Sequence, residues 1–179
     1  NKLKSIYTNT TKQVTSSFNL NMNLPGNKTQ LEKGSIIQLG NKFKLDAKSI
    51  SVINDAKTVW IINKTNKEIQ IHDNIAGSAS GPFNPTDIIR MYDQNKFISV
   101  CTFDGVKNGI GIQTVELKPV DKKTTYSKAR ITTLKSNGNL SRIELFNKDG
   151  SRYDLTILKT SFSKANSNIF TFSKTSWPG

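Results

Sequence analysis

The stretch Ile50–Asp73, ISVINDAKTVWIINKTNKEIQIHD, consists of three apolar runs separated by two polar turns. Runs of β-branched and aromatic residues bounded by Asn, Asp and Lys are typical of strands, and connections this short favour an antiparallel meander. The middle run, Thr58 to Ile62, places apolar side chains on both of its faces. Because a strand without a solvated face needs cover on both sides of its sheet, we expect a helix on one side and the curling sheet on the other.

The same pattern of short alternating strands continues along the chain. Val14 to Leu24 alternates cleanly between apolar and polar residues, which predicts a long half-buried strand. The turns Ser136–Asn139 and Lys148–Gly150 have the composition of tight hairpins, and Ile169–Phe172 is predicted to close the sheet as a last strand. The count is about ten or eleven antiparallel strands.

One internal helix is predicted after the opening meander. Asn84 can cap its first turn, Pro85 suits its first position, and Asp87 lies three residues after the cap, where an acidic residue is favoured. This short helix would carry its apolar side chains on one side, and we predict that it acts as a lid. The predicted lid residues are Ile88, Ile89, Met91 and Tyr92.

Length and composition indicate one domain spanning residues 1–179, with residues 1–11 as the remnant of an N-terminal helix. The net charge of +13 is spread over the whole chain and favours contact with anionic surfaces as a general bias, although a lysine-rich surface alone also accounts for it. The single cysteine, Cys101, allows neither a disulfide framework nor a cysteine metal site, and we expect it in the core. No apolar run approaches the ~18 residues that a membrane span needs. The chain opens at Asn1, as expected of a processed or truncated N-terminus.

The residue types do not favour catalysis. The only histidine, His72, alternates with Ile69 and Ile71 and is expected to be exposed, and the acidic residues are scattered singly. A pair of carboxylates brought together by folding stays open. Basic residues are not interleaved with aromatic ones on one strand face, so solvated strand faces are favoured over a nucleic-acid interface. We predict no enzyme, no cofactor and no metal.

The apolar strand faces are the remaining candidate site. They would form either a cavity wall beneath the lid or a plain core, and the sequence leaves both interpretations open. The candidate lining residues are Phe18, Leu20, Met22, Phe43, Leu45, Val52, Trp60, Ile62, Ile69 and Ile71.

Four short motifs, in order, resemble one protein family. Residues 54–60, NDAKTVW, resemble the Ser-Asp-Gly-Lys-Thr-aliphatic-Trp signature of the outer-membrane lipoprotein carrier proteins (LolA-like). The resemblance continues through PTDII at 85–89, FNKDGSRY at 146–153 and NIFTF at 168–172, and spans about Phe18 to Trp177.

The resemblance implies a mainly β fold: an incomplete antiparallel β-barrel closed by one or two short helices over a hydrophobic cavity. It further implies a non-catalytic periplasmic carrier, which receives acylated lipoproteins from an inner-membrane lipoprotein-releasing transporter and delivers them to an outer-membrane acceptor. Such a carrier is expected to be a monomer that binds no nucleic acid.

This sequence departs from the family pattern at two places. Ala56 replaces the signature glycine, and residues 38–41 lack the arginine that tethers the lid in the classical carriers, so Lys42 and Arg90 are the candidate substitutes. Two other functions stay open: a LolB-like or envelope-stress relative acting as a membrane-associated acceptor or sensor, and a basic module that binds anionic glycolipid or nucleic acid.

Overall fold

The fold is an open antiparallel sheet of eleven strands. The computed structural model describes residues 6–7, 10–74 and 97–173. The strands are β1 (Lys12–Asn23), β2 (Gln30–Leu39), β3 (Lys42–Ala47), β4 (Ile50–Asn54), β5 (Thr58–Asn63), β6 (Glu68–Asp73), β7 (Phe97–Lys107), β8 (Ile110–Pro119), β9 (Tyr126–Leu134), β10 (Leu140–Asn147) and β11 (Arg152–Lys164).

The strand order is β6-β5-β4-β3-β2-β1-β11-β10-β9-β8-β7, so two meanders meet where β1 pairs with β11. The mainly β fold class and the number of strands are confirmed. The sheet is open and is not closed into a barrel, with β6 and β7 at its two edges. The predicted lid, Asn84 to Tyr92, lies outside the described residues.

Two sequence predictions are wrong. Residues 167–170 form a 3-10 helix, Ser167–Phe170, where a final strand was expected, because the side chain of Asn166 accepts a hydrogen bond from the backbone N–H of Asn168 and starts a helical turn. Cys101 is exposed, not buried, because β7 is an edge strand whose residues are largely open to solvent.

The turn between β4 and β5 keeps a left-handed residue at the position of the signature glycine. Ala56 has φ +81°, a conformation that favours glycine. The Oδ1 atom of Asn54 accepts from the Ala56 N–H at 2.7 Å, and the Asn74 amide donates to the Ala56 carbonyl at 3.0 Å. The departure from glycine therefore leaves the turn in place, held by buried Asn54 and its hydrogen bonds.

Candidate functional site

One face of the sheet, called the first face, carries a buried apolar cluster. The register places Phe18 of β1 between Gly34 of β2 and Ile157 of β11, and Leu20 opposite Leu155. The buried members of this cluster are Phe18, Leu20, Phe43, Leu45, Ala47, Val52 and Val59. The half-buried residues packed against them are Met22, Ile36, Ile50, Ile61, Tyr153, Leu155 and Ile157.

A second buried cluster lies on the same face, over the other meander. Pairing carries the first face from Leu155 to Ile143 and Ile131, and from there to Val115. The buried members are Tyr7, Val14, Leu117, Ala129, Ile131 and Leu145. Tyr153 packs against both clusters. The first face is therefore a continuous apolar surface that crosses the junction between the two meanders.

Gly34 lets the strands approach one another beneath this face. A Cβ atom at Gly34 would lie 2.3 Å from the carbonyl oxygen of Asp46, 2.9 Å from the Phe18 ring and 3.0 Å from the Cα of Ala47. Two of these neighbours are backbone atoms, which cannot move aside as a flexible side chain would. Any side chain at residue 34 would push Phe18 and β3 away from their positions.

The ten predicted lining residues divide between the two faces. Six lie on the first face: Phe18, Leu20, Met22, Phe43, Leu45 and Val52. Four lie on the opposite, second face, since Trp60 pairs with Ile71 and Ile62 with Ile69: Trp60, Ile62, Ile69 and Ile71. Register decides this division, because Val59 and Ile61 of the same strand are the ones that face the first cluster.

The second face of β5 is covered by the segment after the 3-10 helix. The rings of Trp60 and Phe172 stack with their centroids 5.6 Å apart, and Phe170 is fully buried. The expectation that β5 needs cover on both sides is thus met by an aromatic contact on this face. In contrast, Ile71 on the edge strand β6 is 64% exposed.

Tyr7, near the N-terminus, is attached to the first face through a hydrogen bond that the sequence did not predict. The side-chain amide of buried Gln38 donates to the carbonyl of Tyr7 at 3.0 Å and to that of Gly40 at 3.3 Å. Tyr7 lies in the second cluster, and burial raises the pKa of its hydroxyl. Gln38 lies in residues 38–41, the stretch that lacks the lid-tethering arginine of the classical carriers. The sequence did contain one indication of this contact: Gln38 is a polar residue on the apolar side of its strand, and a buried polar group needs a hydrogen-bond partner.

The second face of the later strands is polar and charged. Glu116 accepts hydrogen bonds from Arg130 at 2.9 Å and Lys128 at 3.1 Å. Burial raises the pKa of Glu116, but the bonds and positive charges of Arg130 and Lys128 outweigh that effect, and the pKa lies below its ordinary value. Arg142 binds Asp154 through two hydrogen bonds of 2.7 and 2.6 Å, which raise the pKa of the guanidinium. Over strands β8 to β11 the two faces of the sheet therefore differ sharply in chemistry.

The described residues offer few groups suited to reaction chemistry. His72 is exposed, as expected. Within residues 6–7, 10–74 and 97–173, no three side chains of His, Cys, Asp or Glu come together as a metal site would require. Across that same part of the chain, no helix has the length and apolarity to span a bilayer. The continuous apolar first face is the principal chemical feature of the described residues.

Comparison with known proteins agrees with this description. Residues 9–173 match the family model of the outer membrane lipoprotein carrier protein LolA. A solved structure of an uncharacterized conserved protein from Thermus thermophilus superposes with a TM-score of 0.63 at 8% identity, covering 97% of this chain and 91% of that one. At this identity the likeness shows a shared fold.

A LolA superfamily protein from Nitrosomonas europaea aligns at 13% identity with a TM-score of 0.47, covering 96% of this chain and 94% of that one. No curated protein matches the chain significantly. Since the family match takes in all eleven strands, the chain belongs to the outer membrane lipoprotein carrier protein family, LolA.

Proposed function

We propose that this protein is a non-catalytic periplasmic carrier that binds the acyl chains of lipoproteins against the first face. Its proposed partners are an inner-membrane lipoprotein-releasing transporter, which loads it, and an outer-membrane acceptor, which receives the cargo. Membership of the LolA family supports this proposal. The observation that carries it is the continuous apolar first face, which runs across both meanders.

The chemistry of that face suits an acyl chain. Transfer of each CH₂ group from water to apolar surroundings is worth about 0.8 kcal/mol, so contact along part of a chain gives firm binding without a covalent bond. Binding requires the acyl chain to replace apolar contacts, since Phe18, Leu20 and Phe43 are already shielded from solvent. Half-buried Met22 and Ile36, which border the cluster, are the proposed first contacts.

The proposed contact surface does not include the four predicted lining residues that lie on the second face. Trp60 is engaged with Phe172, and Ile71 lies on the opposite side of the sheet from Phe18. The role of Ile88, Ile89, Met91 and Tyr92 as a lid stays a prediction from the sequence.

The test is displacement of a fluorescent fatty acid by a synthetic acylated lipopeptide. Met22→Asn places a polar amide at the border of the first face and is expected to weaken binding about tenfold, because burial of an unpaired amide is costly. Ile71→Asn makes a similar change on the exposed second face and should leave binding unchanged.

Leu20→Asp is a stronger variant of the same test, provided that its thermal unfolding shows a folded protein. Equal affinities for wild type, Met22→Asn and folded Leu20→Asp would show that acyl chains do not bind on the first face. Native mass spectrometry of protein purified from its own envelope should further show a bound lipid or acylated peptide.

A further inference from the structure

The second face carries a concentration of positive charge at one end of strands β8 to β11. Lys128 of β9, Phe146 of β10 and Arg152 of β11 lie directly opposite one another in one row across the sheet. Arg130 lies in the adjacent row, opposite Glu116 and Glu144. We call this region, with the two neighbouring loops, the basic patch: Lys118, Lys122, Lys123, Lys128, Arg130, Lys148 and Arg152.

The carboxylate of Glu116, at the centre of the basic patch, is shared among three cations. Its Oε2 atom lies 2.9 Å from Arg130 Nε and 3.1 Å from Lys128 Nζ, and its Oε1 atom lies 3.6 Å from Lys118 Nζ. Glu116 can neutralise one of these three charges, so this group alone retains a net charge of 3 − 1 = +2. Unbalanced charge on folded strands attracts anions.

The ring of Phe146 gathers cations instead of offering a free aromatic surface. Lys128 Nζ lies 5.0 Å from the ring centroid, and the guanidinium carbons of Arg130 and Arg152 lie 5.3 and 5.5 Å from it. Cation–π attraction offsets part of the repulsion among these groups. Because the cations lie over the ring, it is unsuited to stack on a nucleic-acid base, which needs an open face.

Two loops add further lysines to the same end of the sheet. The backbone N–H of Lys148 donates to the carbonyl of Thr125 at 3.0 Å, and its side chain donates to the carbonyl of Lys122. This contact holds the β10–β11 turn against the loop that carries Lys122 and Lys123. Counting Asp121 and Asp149 of these loops with Glu116 and Glu144 of the strands, the seven basic and four acidic residues give 7 − 4 = +3.

Exposed aliphatic side chains border the charge. Val120, next to the lysine loop, is 57% exposed, and Ile98, which pairs with Lys118, is 61% exposed. Basic side chains combined with a few exposed apolar ones are the combination that binds the headgroup region of an anionic bilayer. A nucleic acid would gain little from Val120 and Ile98.

We propose that the basic patch docks the protein on a bilayer surface that contains anionic phospholipid. Lys and Arg would contact headgroup phosphates, while Val120 and Ile98 would lie at the level of the headgroups. The first face lies on the other side of the sheet, so docking through the basic patch does not involve it. This inference does not rest on acyl-chain binding, since it concerns different residues on a different face.

The test is co-sedimentation of the full chain with vesicles of phosphatidylcholine, with and without phosphatidylglycerol. Binding should require phosphatidylglycerol and should fall steeply with salt. The variant Lys118→Gln/Lys123→Gln/Arg152→Gln should lower partitioning by about 100-fold, since each basic residue near an anionic surface contributes about fivefold. All three side chains are exposed.

The matched control removes the same charge elsewhere: Lys48→Gln/Lys57→Gln/Lys67→Gln, at exposed turns of the first meander. It should retain partitioning to within a few-fold. An equal loss in both triple variants would overturn the basic patch as the docking surface, as would undiminished binding of the first. Absence of vesicle binding with tight, patch-dependent binding of a single-stranded oligonucleotide would also overturn the proposal. The basic-patch triple variant should bind the fluorescent fatty acid with the affinity of the wild type. This result would separate membrane docking from the proposed acyl-chain binding.

Discussion

Trp60 of β5 and Phe172, beyond the last strand, stack with their rings inclined by only 11°. Residues more than a hundred positions apart in sequence thus fix the segment after the 3-10 helix onto the second face. The contact also explains how a strand that is apolar on both sides can lie in an open sheet. One side faces the first cluster, and the other faces an aromatic ring.

We expect Phe172→Leu to lower the free energy of unfolding by about 1 kcal/mol, the usual worth of an aromatic pair beyond its buried area. Urea unfolding measures this loss. Trp60 emission should shift to longer wavelength, and Trp177→Phe supplies a background with a single tryptophan. If the effects of Phe172→Leu and Trp60→Leu add without coupling in a double-mutant cycle, the stacking does not contribute to stability.

Gly34→Ala should destabilise the protein by roughly 3 kcal/mol, because its Cβ would overlap the Asp46 carbonyl and crowd Phe18. Chemical denaturation gives the magnitude. Gly111→Ala is the control, since its Cβ would meet only the Lys135 side chain at 3.5 Å or more. Similar losses of stability in both variants would indicate that residue 34 must be glycine for strand flexibility and not for the close approach of its neighbours.

Ala56→Gly should stabilise the protein by about 1 kcal/mol, since glycine adopts φ +81° without the strain that a Cβ introduces. The expected gain is a higher midpoint in thermal unfolding. Ala165→Gly, outside the strands and without a positive φ, should give no gain. A loss of stability at residue 56 would show that the hydrogen bonds around Asn54 already relieve this strain.

Glu116→Gln should reduce stability by about 1 kcal/mol at neutral pH, a modest value because its cationic partners are partly exposed. The folded-state pKa of Glu116 is below its ordinary value of 4.5, so its contribution is present above that pH and is lost as the pH falls through the folded pKa. The stabilities of wild type and variant should therefore converge in acid, as measured by denaturation across pH. A difference that persists at low pH would assign the effect to packing. Glu68→Gln, at an exposed carboxyl on β6, is the control and should change the profile little.

Cys101 should react with a maleimide in the native protein at nearly the rate found in denaturant, because its side chain is exposed on the edge strand β7. Mass spectrometry over time measures the reaction. Strong protection in the native state would mean that β7 is covered on the first face, where its pairing with Val115 places Cys101.

Local pattern was sufficient to predict most of the strands. Alternation along Val14 to Leu24 and the tight turn at Lys148–Gly150 are encoded within a few residues, and the strands there formed as expected. The helical turn Ser167–Phe170 also has a local cause, the capping side chain of Asn166. The sequence nevertheless did not distinguish this turn from a strand, because a short apolar run suits either.

Relations between distant segments could not be predicted in the same way. Nothing in the sequence around Trp60 shows that it lies on the opposite face of the sheet from Phe18, because that depends on the registers of five strands taken in succession. The exposure of Cys101 similarly depends on β7 being an edge. The pairing of Gln38 with Tyr7 links residues whose proximity only the folded chain determines.

The pairing of the first strand with the last has a consequence for how the protein assembles. Each meander can form from neighbouring segments at little cost in chain entropy, but Lys12 pairs with Lys164, and this contact closes a loop of nearly the whole chain. The two meanders therefore cannot share one sheet until β11 has been synthesised. The apolar surface that crosses their junction is completed at the same moment, so during synthesis the proposed acyl-binding face is finished only after the residues of β11 have been made.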